Sequence, residues 1–552
     1  MHIWSLSSIA GTCSTVLALF LLAIPFVSFK IWQRSQNKSK QPPRLNETIP
    51  FVSNAWQFMT NKRAFISRVR VSLETSPIVQ CRIGPLNLHL VTGGSNISAI
   101  FRSSFTSDPW ILRILQHSAG YSPTDLAKFR QDESGSANLP RSGSTRFFSP
   151  EKRIWYALHR TYNDGLVGAH PVDAFSASFQ SSFSQKLAMF LPGEWVEVRV
   201  FDFLKRHMMT AATNSVLGPR IIEVNPGFED AFWQYEKAVE TLAFGLPSWL
   251  NREGVRARDR FSAMCLKWYK LADQEFDWDN SKSHEGVPLD LEPVFGSQIS
   301  RGLAQWSRSF GFSADSVGAV YALFLFGLHA NTIPLCAWIM MELIKDPSLF
   351  QAVKREVCEA EITGSLVSEK LDYQKLASLP LLQSVYTEAL RLHVDVLITR
   401  TSTEPVTIAG YTLPKGSVVQ APTGVAHLDE FTWGTQDHPA SEFWGYRHIK
   451  EIEIKDDVGH ITKQLSFSLA SRTGSFFPYG GGISMCAGRN FAKPEVLLAV
   501  AMMVSEFDIE FVEWIEADGS LSPRAAVDDM RYANAVVTPP DRDMKIKWRK
   551  AW

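Results

Sequence analysis

Between Ser316 and Met341 the chain runs for 26 residues without a fixed charge. A helix of that length and composition is either immersed in lipid or covered by protein on every side. Its middle argues for protein, because His329, Asn331, Thr332 and Pro334 cluster there, and a lipid-facing helix does not tolerate such a group without cause. A helix crossing the centre of a large domain is therefore expected. Pro334 has no N–H to offer the carbonyl of Ala330, so a kink with a polar notch is expected at that turn.

Enclosing such a helix takes a large core, and 552 residues suffice for one. Lys+Arg and Asp+Glu balance at 56 each, so no net field recruits nucleic acid. The six cysteines lie far apart with no Cys-x-x-Cys pair, which suggests a reducing compartment and argues against a thiolate zinc site. No Gly-x-Gly-x-x-Gly strand-to-helix unit or Walker loop is present, so electrons for any redox chemistry must come from another protein.

At the N-terminus, Ile9 to Phe29 is a 21-residue uncharged run, enough for one bilayer crossing. Lys30, Arg34, Lys38, Lys40 and Arg44 follow it and no Lys or Arg precedes it, which places the bulk of the protein in the cytosol. A cleaved signal peptide is the competing reading, but its positive leading region is missing. Residues 1–29 are thus read as an anchor and 30–48 as a basic, proline-rich linker. Ile78–Ile83 and Leu86–Thr92 flank Gly84-Pro85 as a hairpin, and 103–149 has the Ser, Gly, Pro and charge content of a long functional loop or lid. Helical periodicity dominates the remainder, with short strands after Leu397, so the fold class is mainly α with small β-sheets.

One cysteine carries most of the chemistry. In Phe477-Pro-Tyr479-Gly480-Gly481-Gly482-Ile-Ser484-Met-Cys486-Ala-Gly488 the glycines permit positive φ and close approach to a flat group. An apolar helical pattern starts at Arg489, so Cys486 lies just before a helix N-terminus, where N–H groups and the dipole favour a thiolate. Such a thiolate is a soft anionic ligand suited to haem iron; the plainer alternative is an ordinary turn before a buried cysteine. Upstream, Glu388 and Arg391 share one helix face inside an apolar stretch. If buried, that pair needs a third hydrogen-bonding partner, and Arg447 is available some 50 residues on.

Tyr479, Gly480, Gly482, Cys486 and Gly488 resemble the haem-binding loop of the cytochrome P450 family. Ser484 stands where most members carry a basic residue that contacts a haem propionate. Glu388, Arg391 and Arg447 resemble the family's Glu-x-x-Arg helix and its later arginine segment, which interlock behind the haem, although Gly445 replaces the usual proline. Arg400, fourteen residues before Pro414, matches a propionate-binding arginine of many members. Arg153–Arg160 resembles the Trp-x-x-x-Arg helix, with His159 in the arginine's place and Arg160 next to it; either is a candidate for a propionate. Leu328-His329-Ala330-Asn331-Thr332 matches the oxygen-face motif, with the threonine kept and its acid replaced by Asn331. Ala-Asn-Thr-Ile-Pro resembles the branch holding cholesterol 7α-hydroxylase, prostacyclin synthase and fungal relatives of terpenoid and other secondary metabolism.

The resemblance implies a cytochrome P450 fold preceded by one transmembrane helix, with residues 49–552 as the haem-thiolate catalytic domain. It implies haem b ligated by Cys486, and a monooxygenase in which Thr332 and Asn331 steer protons. NADPH-cytochrome P450 reductase is the implied electron donor, and the implied location is the endoplasmic reticulum membrane, single-pass, with the catalytic domain in the cytosol. Pocket walls are expected from the 101–150 loop and the segments 324–333, 394–398 and 533–537. Their apolar content suggests a bulky hydrophobic substrate such as a terpenoid, steroid or polycyclic alkaloid. A haem-thiolate isomerase or dehydratase, since that branch includes isomerases that consume no oxygen, and a non-catalytic membrane-tethered haem sensor are the rival readings.

Overall fold

A computed structural model describes residues 41–84, 86–141, 149–279, 292–362, 371–455, 461–469, 472, 474–532 and 536–551. The uncharged run forms the middle of a single helix, Ala314–Lys345, whose central turns are buried from Val317 to Ala322 and from Thr332 to Met341. Its all-round apolar surface is satisfied by neighbours on several sides: Val200–Leu217, Arg252–Glu275, Pro380–His393 and Arg489–Glu506. Among the described residues it is the one helix long and apolar enough to cross a membrane, and its burial in the core accounts for that composition. It continues past Pro334 to Lys345. The anchor read at 9–29 lies outside the described residues.

The chain divides into two compact units, residues 1–92 with 401–420, and 93–400 with 421–552. In the first, Ile78–Ile83 and Leu86–Val91 form the expected antiparallel hairpin, in register from Ile78 opposite Val91 to Ile83 opposite Leu86. The strand Val418–Pro422 joins Leu86–Val91 in parallel through Leu88, His89 and Leu90. Packing begins before residue 49: Gln80 N–H donates to the Pro43 carbonyl and Leu45 N–H to the Gln80 carbonyl, both at 2.8 Å.

The second unit is mostly helical. It adds a four-stranded antiparallel sheet ordered Leu521–Ser522, Phe507–Ile515, Asp543–Lys550, Trp195–Arg199, and a hairpin of Ile449–Lys455 with Ile461–Phe467. The expectation of a long irregular loop over 103–149 is corrected: Asp108–Arg113, Ile114–Ala119 and Pro123–Gln131 are helical, the middle one a π-helix. The 142–148 part of that segment lies outside the described residues. Asp108–Arg113 and Ile114–Ala119 are six residues each and differ in winding, and Pro123–Gln131 is nine, which leaves little regular period to read; the last is set by its cap and by tertiary contact. Ser122 Oγ accepts the Asp125 N–H at 3.2 Å, and Pro123 is preorganised for the first turn. Asp125 also accepts from the backbone N–H of Ser313 at 3.0 Å, tying the segment to the start of the long helix. Burial opposes the Asp125 charge, but hydrogen bonds from Lys128 and three serines outweigh it and hold its pKa well below the carboxylate range.

Candidate active site

The cysteine loop is shaped by what its glycines touch. Gly480 and Gly482 adopt φ of 70° and 67°, the left-handed region that disfavours side chains. A Cβ on Gly482 would lie 2.3 Å from the Phe101 carbonyl oxygen, and one on extended Gly481 would lie 2.5 Å from the Phe101 ring. The loop backbone therefore presses on Phe101 where no side chain fits. The Cys486 N–H donates to the Tyr479 carbonyl at 3.1 Å, closing the loop, and the Tyr479 hydroxyl bonds to that of Tyr386. The helix Arg489–Glu506 follows, so Cys486 sits just outside its N-terminus. Cys486 lines a cavity. Burial pushes the thiol's pKa up, opposed by the Gly488 and Arg489 N–H groups and the Arg489 charge. The helix terminus thus lessens the cost of a thiolate here without fixing one; coordination to a metal ion deprotonates a thiol outright.

Behind the loop, Glu388 and Arg391 form a bidentate pair at 2.7 and 2.8 Å with no side-chain exposure. Arg447 Nε adds a 2.7 Å bond to the same carboxylate, His448 Nε2 another at 3.2 Å, and the Trp444 N–H a third at 3.2 Å. Remaining guanidinium hydrogens reach the carbonyls of His427 and Ala440 from Arg391, and of Pro439 and Glu442 from Arg447. Burial works against the Glu388 charge, yet the Arg391 and His448 bonds and the two guanidinium charges hold its pKa well below the carboxylate range. The pair is thus buried and has its third partner.

The propionate candidates separate. Arg400 is 8% exposed and, among the described residues, donates to the carbonyls of Thr399 at 3.0 Å and Gly481 at 3.3 Å. Burial pulls its guanidinium down to about 10, with the Asp108 charge opposing. His159 lines the cavity and bonds the Ile483 carbonyl through Nε2 at 3.0 Å. A carbonyl only accepts, so Nε2 carries the hydrogen and Nδ1 accepts from the Asn163 amide at 3.1 Å. Arg160 is not brought to the cavity: its side chain is largely exposed and pairs with Asp164. Ser484 bonds Ser107 across the loop at 2.8 Å.

The long helix lines the same cavity as Cys486, of about 550 Å³, through Leu328, Asn331 and Thr332 among others. The other expected walls contribute Ile111, Leu115 and Tyr121, then Val394, Val396 and Ile398, then Val537. Residues 533–535 of the last segment lie outside the described residues. Asn331 Oδ1 accepts the Val537 N–H at 3.0 Å, so the amide oxygen pins the C-terminal wall to the helix. Thr332 Oγ1 bonds the Leu328 carbonyl at 2.8 Å and Glu495 Oε1 at 3.1 Å. Sequence reasoning missed Glu495, and also the wall formed by Leu158, Tyr162 and Leu166 of the helix Ile154–Leu166. That helix's strong amphipathicity was the available signal.

The cytochrome P450 family model matches residues 221–516. The cytochrome P450 monooxygenase calL of Penicillium decumbens is 39% identical over 520 residues, covering 94% of each chain. The cytochrome P450 monooxygenase efuG of Hormonema carpetanum is 27% identical, covering 93% of this chain and 92% of that one. The cholesterol 7-alpha-monooxygenase of Cricetulus griseus is 22% identical over 94% and 95% of the two chains.

Proposed function

This chain belongs to the cytochrome P450 family and is a haem-thiolate monooxygenase, and from that premise we propose that it oxidises a bulky hydrophobic small molecule, of terpenoid, steroid or polycyclic alkaloid type, in fungal secondary metabolism. The observation that carries this reading is a largely apolar cavity of about 550 Å³ lined by both Cys486 and Thr332. The donor set suits haem b. Cys486 offers the soft anionic ligand, the glycines leave room for close approach, and Arg400 is a buried cation with no carboxylate in ion-pair range among the described residues. His159 and the Ser107–Ser484 pair are hydrogen-bonding groups on the same rim.

Bound haem supplies the reductive activation of dioxygen and the oxidation of a substrate C–H bond. The chain's own groups do the rest. Phe324, Leu328 and Val396 bind apolar substrate surface and exclude water. Asn331 holds the Val537 wall against the helix, and Thr332 presents a hydroxyl that can hand a proton into the cavity. The Glu388–Arg391–Arg447 cluster fixes the scaffold behind the cysteine loop. Electrons come from NADPH-cytochrome P450 reductase, and residues 1–29 hold the protein to the endoplasmic reticulum membrane with residues 49–552 as its cytosolic catalytic domain.

Reconstituting the purified protein with that reductase and candidate terpenoids, steroids and alkaloids tests the reading. Product that requires both oxygen and NADPH supports it. Turnover without reductase would indicate an isomerase or dehydratase, and haem binding with no turnover of any such compound would overturn the enzymatic reading in favour of a sensor.

A further inference from the structure

Tyr121 follows the π-helix Ile114–Ala119, is 6% exposed and lines the cavity. Its backbone is held on both sides: the Tyr121 N–H donates to the Leu115 carbonyl at 3.0 Å, and the next N–H, of Ser122, to Ser316 Oγ at 3.0 Å. Its ring packs against Phe129 and Phe312, with centroids 6.2 and 6.1 Å away. The phenol hydroxyl, by contrast, has no hydrogen-bond partner among the described residues and is not sealed in by protein. A buried tyrosine hydroxyl ordinarily finds a partner.

The polar groups near it are committed elsewhere. The Tyr235 hydroxyl donates to the Ser118 carbonyl at 3.1 Å, the Ser122 hydroxyl donates to Asp125 Oδ2 at 2.7 Å, and Asp125 also takes bonds from Lys128 and Ser313. Ile111, Leu115, Val320 and Phe324, on the wall of the same cavity, offer no polar side-chain atom. Two other phenols on the wall belong to its cysteine side: Tyr479 is bonded to Tyr386, and the pKa of Tyr162 is raised by burial and by the Cys486 charge. The propionate candidates Arg400 and His159 bond to the cysteine loop, at the Gly481 and Ile483 carbonyls. Tyr121 is tied instead to Ser316, and from residue 316 to residue 332 the long helix rises by roughly 24 Å. Its phenol therefore serves the end of the cavity remote from the Thr332 turn.

On the monooxygenase reading above, we propose that the Tyr121 hydroxyl determines substrate specificity by hydrogen-bonding a neutral oxygen, hydroxyl or carbonyl, carried at the end of the substrate away from the carbon that is oxidised. A phenol both donates and accepts, so either function satisfies it. Burial first, then the neighbouring Tyr162, Tyr235 and Asp125, push its pKa well above the ordinary phenol value, so it stays a neutral hydroxyl. The Asp125 charge beside it disfavours an ionised carboxylate in the same place. An unfunctionalised hydrocarbon would cover the hydroxyl and give it no partner, which costs binding. The substrate therefore arrives already oxygenated: a reaction that installs or leaves a hydroxyl or carbonyl on the skeleton precedes this one.

The test titrates the holoprotein, wild type and Tyr121→Phe, with dodecane, its terminal alcohol and its methyl ketone, following the change in haem absorption. Tyr121→Phe is expected to weaken the alcohol and the ketone several-fold while dodecane binds as before or tighter, with haem content and carbon monoxide spectrum unchanged. With reductase, the wild type is expected to oxidise the alcohol at carbons far from its hydroxyl, and Tyr121→Phe to scatter oxidation along the chain. Equal losses for the alkane and the alcohol, no change for either, or failure of both oxygenated probes to bind the wild type would overturn the proposal. Loss of haem from Tyr121→Phe would overturn it too, by assigning the phenol to the cofactor. Should Tyr121→Phe not fold, the wild-type products decide, and oxidation spread evenly along the alcohol would count against the proposal. A protein lacking the thiolate-haem spectrum would instead refute the underlying reading, while calorimetric titration with the alcohol and the alkane still reports on Tyr121.

Discussion

Gly482 carries a steric prediction. Its positive φ and the Phe101 carbonyl oxygen 2.3 Å from a built Cβ mean that Gly482→Ala must move backbone. Overpacking of this kind costs roughly 1–3 kcal/mol. Thermal melts should show a lowered midpoint together with reduced haem retention, and a variant with wild-type values of both would remove the loop's steric role. Cys486→Ser is expected to abolish the thiolate spectrum and turnover while leaving far-ultraviolet circular dichroism unchanged. Cys486 was legible because glycine spacing and a following helix are local signals. Glu495 was not: it stands in an apolar helix, and its meaning depends on Thr332, 163 positions away in the chain. Arg160 shows the converse: the sequence offers His159 and Arg160 alike, and the fold brings His159 to the cavity while Arg160 pairs with Asp164.

The buried cluster that joins the helix Pro380–His393 to the segment around Arg447 is the element-scale counterpart. Removing one member of a fully buried ion pair leaves uncompensated charge and costs about 3–5 kcal/mol. Glu388→Gln should therefore lower the denaturation midpoint at neutral pH, measured by chemical unfolding; an unchanged midpoint would contradict the cluster's structural role. Because the folded Glu388 pKa is depressed, its stabilisation is complete above the unfolded carboxylate value, near ~4.3, and is lost as pH falls below that toward the folded value. The wild type should lose stability more steeply in that acid window than Glu388→Gln does. The Glu-x-x-Arg pattern was readable because it lay within an apolar run. The helices Asp108–Arg113 and Pro123–Gln131 were not, because their anchors, such as Asp125 to Ser313, come from 188 residues away.

For the whole molecule, the long central helix followed from one physical fact, that an uncharged stretch with a polar middle must be enclosed by protein, and the mainly helical class followed from the dominant helical periodicity. The division into two units did not, because residues 401–420 belong with 1–92 through the parallel strand Val418–Pro422, a pairing with no local mark. Deleting residues 1–29 is expected to move the protein from the membrane fraction to the soluble fraction with its spectrum intact; persistence in membranes would assign the attachment elsewhere. The claim beneath all of this is that the sulfur of Cys486 binds haem iron. Its most direct test is the reduced, carbon monoxide difference spectrum of the purified full-length protein. The account predicts the absorption band of thiolate-ligated haem, lost in Cys486→Ser; a colourless protein, or a spectrum of imidazole-ligated haem, would contradict it.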